Sequence, residues 1–425
     1  MYRNNSRPSG YRGGGSSGSS RFSGPSRFSG GSRFGGGSRF GGPSRGGYAP
    51  RRKNFGKYIN PELFVNTAKE FVTIEKSEPV HLFADFNLAP ALLENIIKKG
   101  YSKPTPIQDQ SIAHILEGKD VLGIANTGTG KTASFSIPII QRIFTSKTQE
   151  KALIIAPTRE LALQIRDEIR GFTPNMKIFT AICIGGENMG NQIFELRRNP
   201  QIIIGTPGRL KDLIERKALK LADCTTVVLD EVDRMLDMGF IDDVSFLMAQ
   251  ASPNKQTLFF CATLSNDIKR LIERFLKNPV NISVKTSDTS SHVHQDVIKV
   301  SGADAKLKTL QDLLAKSEEF KKVLIFGRTK HGVENLSRTL YKFGFRVGSI
   351  HGDKPQFKRE RVLRLFKENE INILIATDVA ARGIDVADIT HVINYDVPAT
   401  YEDYVHRIGR TGRANNTGHA LTFID

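Results

Sequence analysis

Val121-Leu122-Gly123-Ile124-Ala125-Asn126-Thr127-Gly128-Thr129-Gly130-Lys131-Thr132 is an apolar run that passes through two glycines into a Lys-Thr pair. Its first five residues read as a buried strand, and Lys131-Thr132 open a helix. A strand that turns through glycines into a helix exposes bare backbone amides at the helix N-terminus, where phosphate binds. In that setting Lys131 serves the β and γ phosphates, and the Thr132 hydroxyl serves Mg²⁺. The general pattern G-x-x-x-x-G-K-[ST] begins with glycine, where this chain has Ala125. A glycine loop alone would be weak evidence, but strand, loop, Lys-Thr pair and helix together favour phosphate binding over a structural turn.

Working outward, Val227-Val228-Leu229-Asp230-Glu231 carries two carboxylates to the point where a buried strand emerges. Ligands of open α/β sheets bind at that edge. Asp230 is expected to hold Mg²⁺ through water, and Glu231 to orient or deprotonate an attacking water. Much later, His406-Arg407-Ile408-Gly409-Arg410-Thr411-Gly412-Arg413 gathers three arginines. Arginines delivered across a cleft stabilise phosphoryl-transfer charge only when the cleft closes. The separation therefore predicts a nucleoside-triphosphate hydrolase site assembled from two domains.

Apolar runs alternate with helical patterns from about Leu82. Strands are expected at Val121–Ala125, Ala152–Ala156, Ile178–Ile184, Ile202–Gly205, Thr226–Leu229 and Leu258–Cys261. After a polar stretch the alternation restarts at Val323–Phe326, Val347–Ile350, Ile373–Ala376, His391–Tyr395 and Ala420–Phe423. Helices are expected between them, as at Leu161–Gly171, Leu210–Arg216, His331–Phe343 and Gln356–Lys367. Such alternation implies α/β domains with parallel sheets. The predicted organisation is a tail over 1–53, a transition over 54–81 with a short helix at Pro61–Phe71, a first domain over 82–284, a linker over 285–295 and a second domain over 296–425.

The chain of 425 residues is 39% apolar and carries a formal charge of +17. Ten arginines and one lysine fall within residues 1–53, with no acid before Glu62. Most of the excess charge thus belongs to a tail, which points to a polyanion partner. Ser-Arg-Phe recurs every six residues at Ser20, Ser26, Ser32 and Ser38. Glycine and serine raise the entropy cost of ordering, so disorder is expected there. Regular Arg-Phe pairs suit single-stranded nucleic acid or self-association better than an inert spacer. Cys183, Cys224 and Cys261 lack metal-ligand spacing and make no disulfide framework, which implies a reducing, cytoplasmic compartment. No apolar run approaches membrane-spanning length.

Over about residues 82–425 the chain resembles the DEAD-box ATP-dependent RNA helicases of superfamily 2, whose fold is two tandem RecA-like domains. The resemblance rests on Phe83, Gly100-Tyr101, Pro104 and Ile107-Gln108 (the Q motif), on Asp230-Glu231-Val232-Asp233, and on Ala376-Thr377-Asp378, Arg382-Gly383-Ile384-Asp385 and the arginine cluster. It implies ATP with Mg²⁺, Tyr101 stacked on adenine and Gln108 reading its edge. Nucleotide contacts are also implied for Phe83, Thr127, Gly128, Thr129, Gly130, Lys131, Thr132, Gly383 and, at the ribose, Asp385. Lys131, Asp230, Glu231 and His406 would serve hydrolysis, with Arg410 and Arg413 on the transition-state charge. His406 places the match in the DEAD branch, because related DEAH helicases have Gln there.

By the same resemblance Pro157, Thr158, Arg159, Gly186, Thr206, Gly208 and Arg209 would grip single-stranded or short duplex RNA in the first domain. Arg328, Thr329, Gly352, Gln356, Arg359 and Thr377 would do so in the second. Taken singly, Arg159 reads as a helix-start charge and Arg209 as a surface ion-pair partner. Turn amides, hydroxyls and single arginines contact phosphates without reading bases, so sequence-independent binding by a monomeric core is expected. Asp233, Cys261, Thr263 and Arg407 would couple hydrolysis to strand separation.

Two features depart from the family. Cys261-Ala262-Thr263 stands where Ser-Ala-Thr is usual, and a thiol is a poorer donor. The sequence also stops at Asp425, where the family continues with a helix, so thin cover of the last strand, or a fragment, is expected. The rival readings are an RNA-binding or annealing protein with a vestigial ATPase, which Cys261 would favour, and a DNA helicase, which Gln108 and His406 oppose.

Overall fold

The computed structural model describes residues 64–65, 79–126, 128–146, 150–284, 293–316, 318–381, 386, 388–412 and 417–424. The tail over 1–53, all but Phe64 and Val65 of the Pro61–Phe71 helix, Thr127, the Arg382–Asp385 motif and Arg413 lie outside these residues.

Within the described residues the first sheet contains β1 (Val121–Ala125), β2 (Ala152–Ile155), β3 (Thr180–Cys183), β4 (Ile202–Gly205), β5 (Thr226–Asp230), β6 (Gln256–Cys261) and β7 (Val280–Val284). The second contains β8 (Val293–Lys299), β9 (Val323–Phe326), β10 (Val347–Ile350), β11 (Ile373–Ala376), β12 (His391–Asn394) and β13 (Gly418–Ile424). Their orders are β3-β4-β2-β5-β6-β1-β7 and β10-β11-β9-β12-β13-β8. Every paired strand runs parallel.

Sequence alternation builds both layers. Successive side chains of a strand point to opposite faces. Ile154, Val228, Leu258 and Phe260 enter one core of the first sheet, while Leu153, Val227, Leu229 and Phe259 enter the other. The second sheet repeats this, with Val323, Ile325 and Ile373 on one side and Leu324, Phe326 and Leu374 on the other. Strands buried on both faces need continuous apolar runs, which is why they were readable.

The two strands that sequence reasoning missed are β7 and β8, both edge strands, in which only Ile282 of β7 and Val293 and Gln295 of β8 are buried. β8 also corrects the domain boundary. Val293 to Gln295, assigned to the linker, are paired in register with Gly418 to Ala420 of β13. His294 is half-exposed, so the segment looks polar although its backbone belongs to the sheet. The second sheet therefore includes Val293 to Gln295.

Across the start of β12, β13 and β8 the rings of Phe320, His391, His419 and His294 form one column. Successive centroids lie 4.0, 4.9 and 5.1 Å apart. Burial, reinforced by His419, pushes His391 down to about 4. Burial also lowers His419, with His294 adding to the effect and Glu319 opposing it. A histidine kept neutral by the fold contributes stability that is complete above its unfolded value near 6.5 and is lost as pH falls from there toward the folded value. Lowering the pH from 7.5 to 5 is expected to cost the second domain about 2 kcal/mol through His391 alone. Urea unfolding of wild type and His391→Phe at both pH values checks this; equal pH slopes would refute it.

Candidate nucleotide and RNA site

β5, β6 and β1 are consecutive in the first sheet, so their C-terminal ends bring the two acids, Cys261-Ala262-Thr263 and the phosphate loop to one edge. Gly130 caps the helix Lys131–Thr145 with φ 91°, a left-handed conformation that favours glycine. A Cβ there would overlap the Gln108 amide nitrogen. Gln108 is fully buried: its carbonyl accepts from Thr105 N at 2.9 Å, and its amide donates to Gly130 O at 3.1 Å. The Q-motif glutamine thus ties the helix Pro106–Leu116 to the phosphate loop. Lys131 Nζ donates to Ala125 O at 2.8 Å, and Thr129 Oγ1 to Asn126 O at 2.8 Å. Thr132 and Gly128 lie on the same loop and helix start.

Tyr101 donates its hydroxyl to Glu168 and packs edge-on against Phe172, with ring centroids 5.4 Å apart. Phe83, expected at the nucleotide, is itself buried and lies 6.2 Å from the Tyr101 ring. It supports the tyrosine from beneath.

Asp230 is buried at the end of β5, and its carboxylate accepts from Glu231 N at 3.0 Å. Burial pushes its carboxyl up to about 7; the Lys131 ammonium opposes this, and Glu231 and Asp233 add to it. Glu231 sits at φ 55°, ψ 54°, a strained position for a side-chain-bearing residue that costs about 1–3 kcal/mol. Its Oε2 is buried without a partner. A raised carboxyl and an unpartnered carboxylate oxygen beside a lysine and a threonine suit a phosphate chain bearing a divalent cation. Asp233 is already satisfied: Oδ2 accepts from Ala262 N at 2.9 Å, Thr263 N at 3.0 Å and Thr263 Oγ1 at 3.3 Å. Cys261 lies behind, buried in a core, its thiol pushed up to about 12 by burial first and then by Asp233. The bonds from Thr263 and the backbone carry this link whether or not a hydroxyl replaces the thiol.

The arginine cluster follows the helix Tyr401–Ile408. Arg407, expected to couple hydrolysis to strand separation, is bonded within the second domain. It makes a fork to Asp378 at 2.6 and 2.8 Å and also donates to Asn394 Oδ1 and Asp396 O. His406 is pushed down to about 4 by burial and then by Arg234, with Arg410 adding and Asp233 and Asp403 opposing. Arg234 and Asp233 belong to the first domain, so the two halves of the site face each other. Arg234, directly after the acidic tetrapeptide, was missed; its position there was the only signal.

On the other side of the cleft, Thr158 caps the helix Arg159–Phe172 by accepting from Leu161 N. The Arg159 guanidinium lies so close over Gly185 and Gly186 that a Cβ at Gly186 would overlap it. Thr206, Gly208 and Arg209 lie at the start of the helix Pro207–Glu215, where Arg209 donates to Glu187 O at 3.5 Å. In the second domain Thr329 caps the helix Lys330–Lys342, and Arg328 N donates to Asp396 Oδ2 at 2.7 Å. Gly352 and Thr377 follow β10 and β11. Gln356 and Arg359, expected on RNA, reach across to Glu160. Arg359 Nη2 lies 2.8 Å and Gln356 Nε2 3.3 Å from Glu160 Oε1. Gln356 Oε1 and Arg359 Nε are left buried without a partner. Glu160 had no predicted role.

A two-domain phosphate-loop hydrolase with an acidic tetrapeptide and late arginines is the class this geometry defines. The DEAD/DEAH box helicase family profile matches residues 105–271, and the helicase conserved C-terminal domain matches 305–415. The DEAD-box ATP-dependent RNA helicase CshA of Bacillus subtilis is 46% identical over 344 residues, covering 80% of this chain and 69% of that protein. The chain belongs to the DEAD-box ATP-dependent RNA helicase family. Among solved structures, Mss116p bound to ssRNA and AMP-PNP matches with TM-score 0.73 and 30% identity, covering 84% of this chain and 76% of that one. Dbp5 of S. cerevisiae bound to RNA and ADP BeF3 gives 0.72 and 29%, covering 81% and 89%.

Proposed function

We propose that this chain is an ATP-dependent RNA helicase. It couples ATP binding and hydrolysis to local, sequence-independent separation or remodelling of short RNA duplexes or RNA–protein complexes. The observation that carries this reading is the unpartnered Glu231 Oε2 beside the phosphate loop, with His406 and Arg410 of the second domain lining one cavity with Arg234 of the first.

Lys131, Thr132 and the loop amides hold the phosphate chain of ATP. Tyr101 stacks on the adenine, and Gln108 joins base recognition to the loop it braces. Gly383 and Asp385 contact the nucleotide from the second domain. Glu231 orients the attacking water and takes its proton. Arg410 and Arg413 bring positive charge to the γ-phosphate when the cleft closes. Mg²⁺, when bound near Asp230 and Thr132, neutralises charge developing on the phosphates. Thr158, Arg159, Gly186, Thr206, Gly208 and Arg209 hold the RNA backbone with Arg328, Thr329, Gly352 and Thr377. Gln356 and Arg359 join the domains through Glu160. No helix among the described residues is long and apolar enough to cross a membrane. The protein works in the cytoplasm, as a monomeric core whose tail binds RNA or a second copy.

The test is steady-state ATP hydrolysis with and without single-stranded RNA, with matched DNA as competitor and Glu231→Gln as control. RNA-specific stimulation lost in the variant supports the helicase, and a duplex assay then measures strand separation. Tight RNA binding with negligible hydrolysis would favour an annealing protein. Deleting residues 1–53 should leave the rate at saturating RNA within about twofold, since these residues neutralise phosphates only outside the core. The same deletion should flatten the salt dependence of RNA affinity, and an unchanged slope would remove the tail from RNA binding.

A further inference from the structure

We propose that Phe64 is a positioning residue for the arginine cluster: it docks on the second domain and braces the helix Tyr401–Ile408 from behind. The residue lies outside both stretches that match helicase profiles, which begin at residue 105. It is nevertheless fully buried, in a small core with Val293, Tyr404, Ile408 and Ala420 that is separate from the cores flanking the second sheet. Its ring centroid lies 4.5 Å from that of Tyr404 at an interplanar angle of 50°. Tyr404 in turn donates its hydroxyl to Gln295 Oε1 at 2.9 Å, fastening the helix to β8.

Helix geometry makes the location informative. Residues four apart share a face, whereas residues two apart point to nearly opposite sides. Tyr404 and Ile408 therefore turn one face to Phe64, and His406 turns the other toward Arg234 and Asp233 of the first domain. Arg410 follows within one turn of the helix end. Among the described residues, the next to bond to the first domain are Val80 and His81, whose amides donate to Asp109 at 2.9 and 3.2 Å. Phe64 thus belongs to the second domain although it precedes the first in sequence. Without its ring, Tyr404 and Ile408 would face a void, and a helix that must hold arginines to within a fraction of an ångström would relax.

This inference rests on the reading of Arg410 as a hydrolytic residue. The experiment uses the full chain and compares Phe64→Ala, Phe64→Leu and Val65→Ala, the last at a neighbouring exposed position. For Phe64→Ala the RNA-stimulated kcat should fall about tenfold while KM for ATP moves less than about twofold, because the arginines act in the transition state. Phe64→Leu should recover to within about threefold of wild type, and Val65→Ala should match it. A full kcat in Phe64→Ala with only a lower Tm makes the residue simple packing and overturns the proposal. If Phe64→Ala does not fold, Phe64→Leu decides through hydrogen exchange of the 401–410 amides. Faster exchange there with a matching fall in kcat supports the brace, and wild-type exchange overturns it. Arg410→Ala separates the two readings: full hydrolysis in that variant defeats the arginine assignment, whereas its loss alongside an unaffected Phe64→Ala defeats the brace alone.

Discussion

Glu231→Gln is expected to lower RNA-stimulated ATP hydrolysis by about 10²–10⁴-fold while leaving ATP and RNA binding within about threefold of wild type. The size follows from what the substitution removes. Glu231 is held at φ 55° with one carboxylate oxygen buried and unpartnered, a costly arrangement. Glutamine keeps the shape and one carbonyl but cannot accept a proton from water. Binding should survive, because the loop amides, Lys131 and Tyr101 are untouched and the carboxylate makes no structural bond through Oε2. Single-turnover hydrolysis, nucleotide affinity and RNA affinity measured on the same preparation check this. Loss of ATP binding equal to the loss of rate would mean that Glu231 organises the site and does not act in the chemistry.

Much of this site could be read from the sequence because its parts end buried strands. Val121–Ala125 and Ile202–Gly205 match their observed strands residue for residue, since continuous burial leaves an unbroken apolar run. Asp230 was legible for the same reason, as a charge where such a run emerges at the sheet edge, and Lys131 was legible from the glycine loop that joins its strand to its helix. The edge strands β7 and β8 were not legible, because few of their residues are buried and no continuous apolar run marks them. Partnership across the cleft was also hidden. Nothing local distinguishes Glu160 from a helix-start acid, and nothing local sends Arg359 to it in place of a phosphate. Phe64 shows the same limit, for its partners lie more than two hundred residues away.

The Glu160–Arg359 pair carries the second large expectation: Arg359→Ala or Glu160→Ala should lower RNA-stimulated hydrolysis by about 10²-fold, with nucleotide affinity in the absence of RNA unchanged. Both side chains are nearly dry, 5% and 8% exposed, and they meet at 2.8 Å across the cleft. Breaking a buried pair by removing one partner costs about 3–5 kcal/mol, since the survivor is left charged and desolvated. Here the survivor can escape by opening the cleft, so the penalty falls on the closed, hydrolytic state. The neighbours sharpen the effect. Arg159, already lowered by burial and then by Arg359, would lose the charge between the two guanidinium groups if Glu160 were removed. The double variant Glu160→Ala/Arg359→Ala should therefore be less impaired than the two single losses combined, by about 1–3 kcal/mol in a thermodynamic cycle. Salt dependence separates this from the phosphate-contact reading. An arginine on a phosphate would, when removed, reduce the salt slope of RNA binding by about one, and Glu160→Ala would not copy it. A domain clamp predicts losses from either side and an unchanged slope, because the pair is satisfied within the protein and releases no ions from RNA.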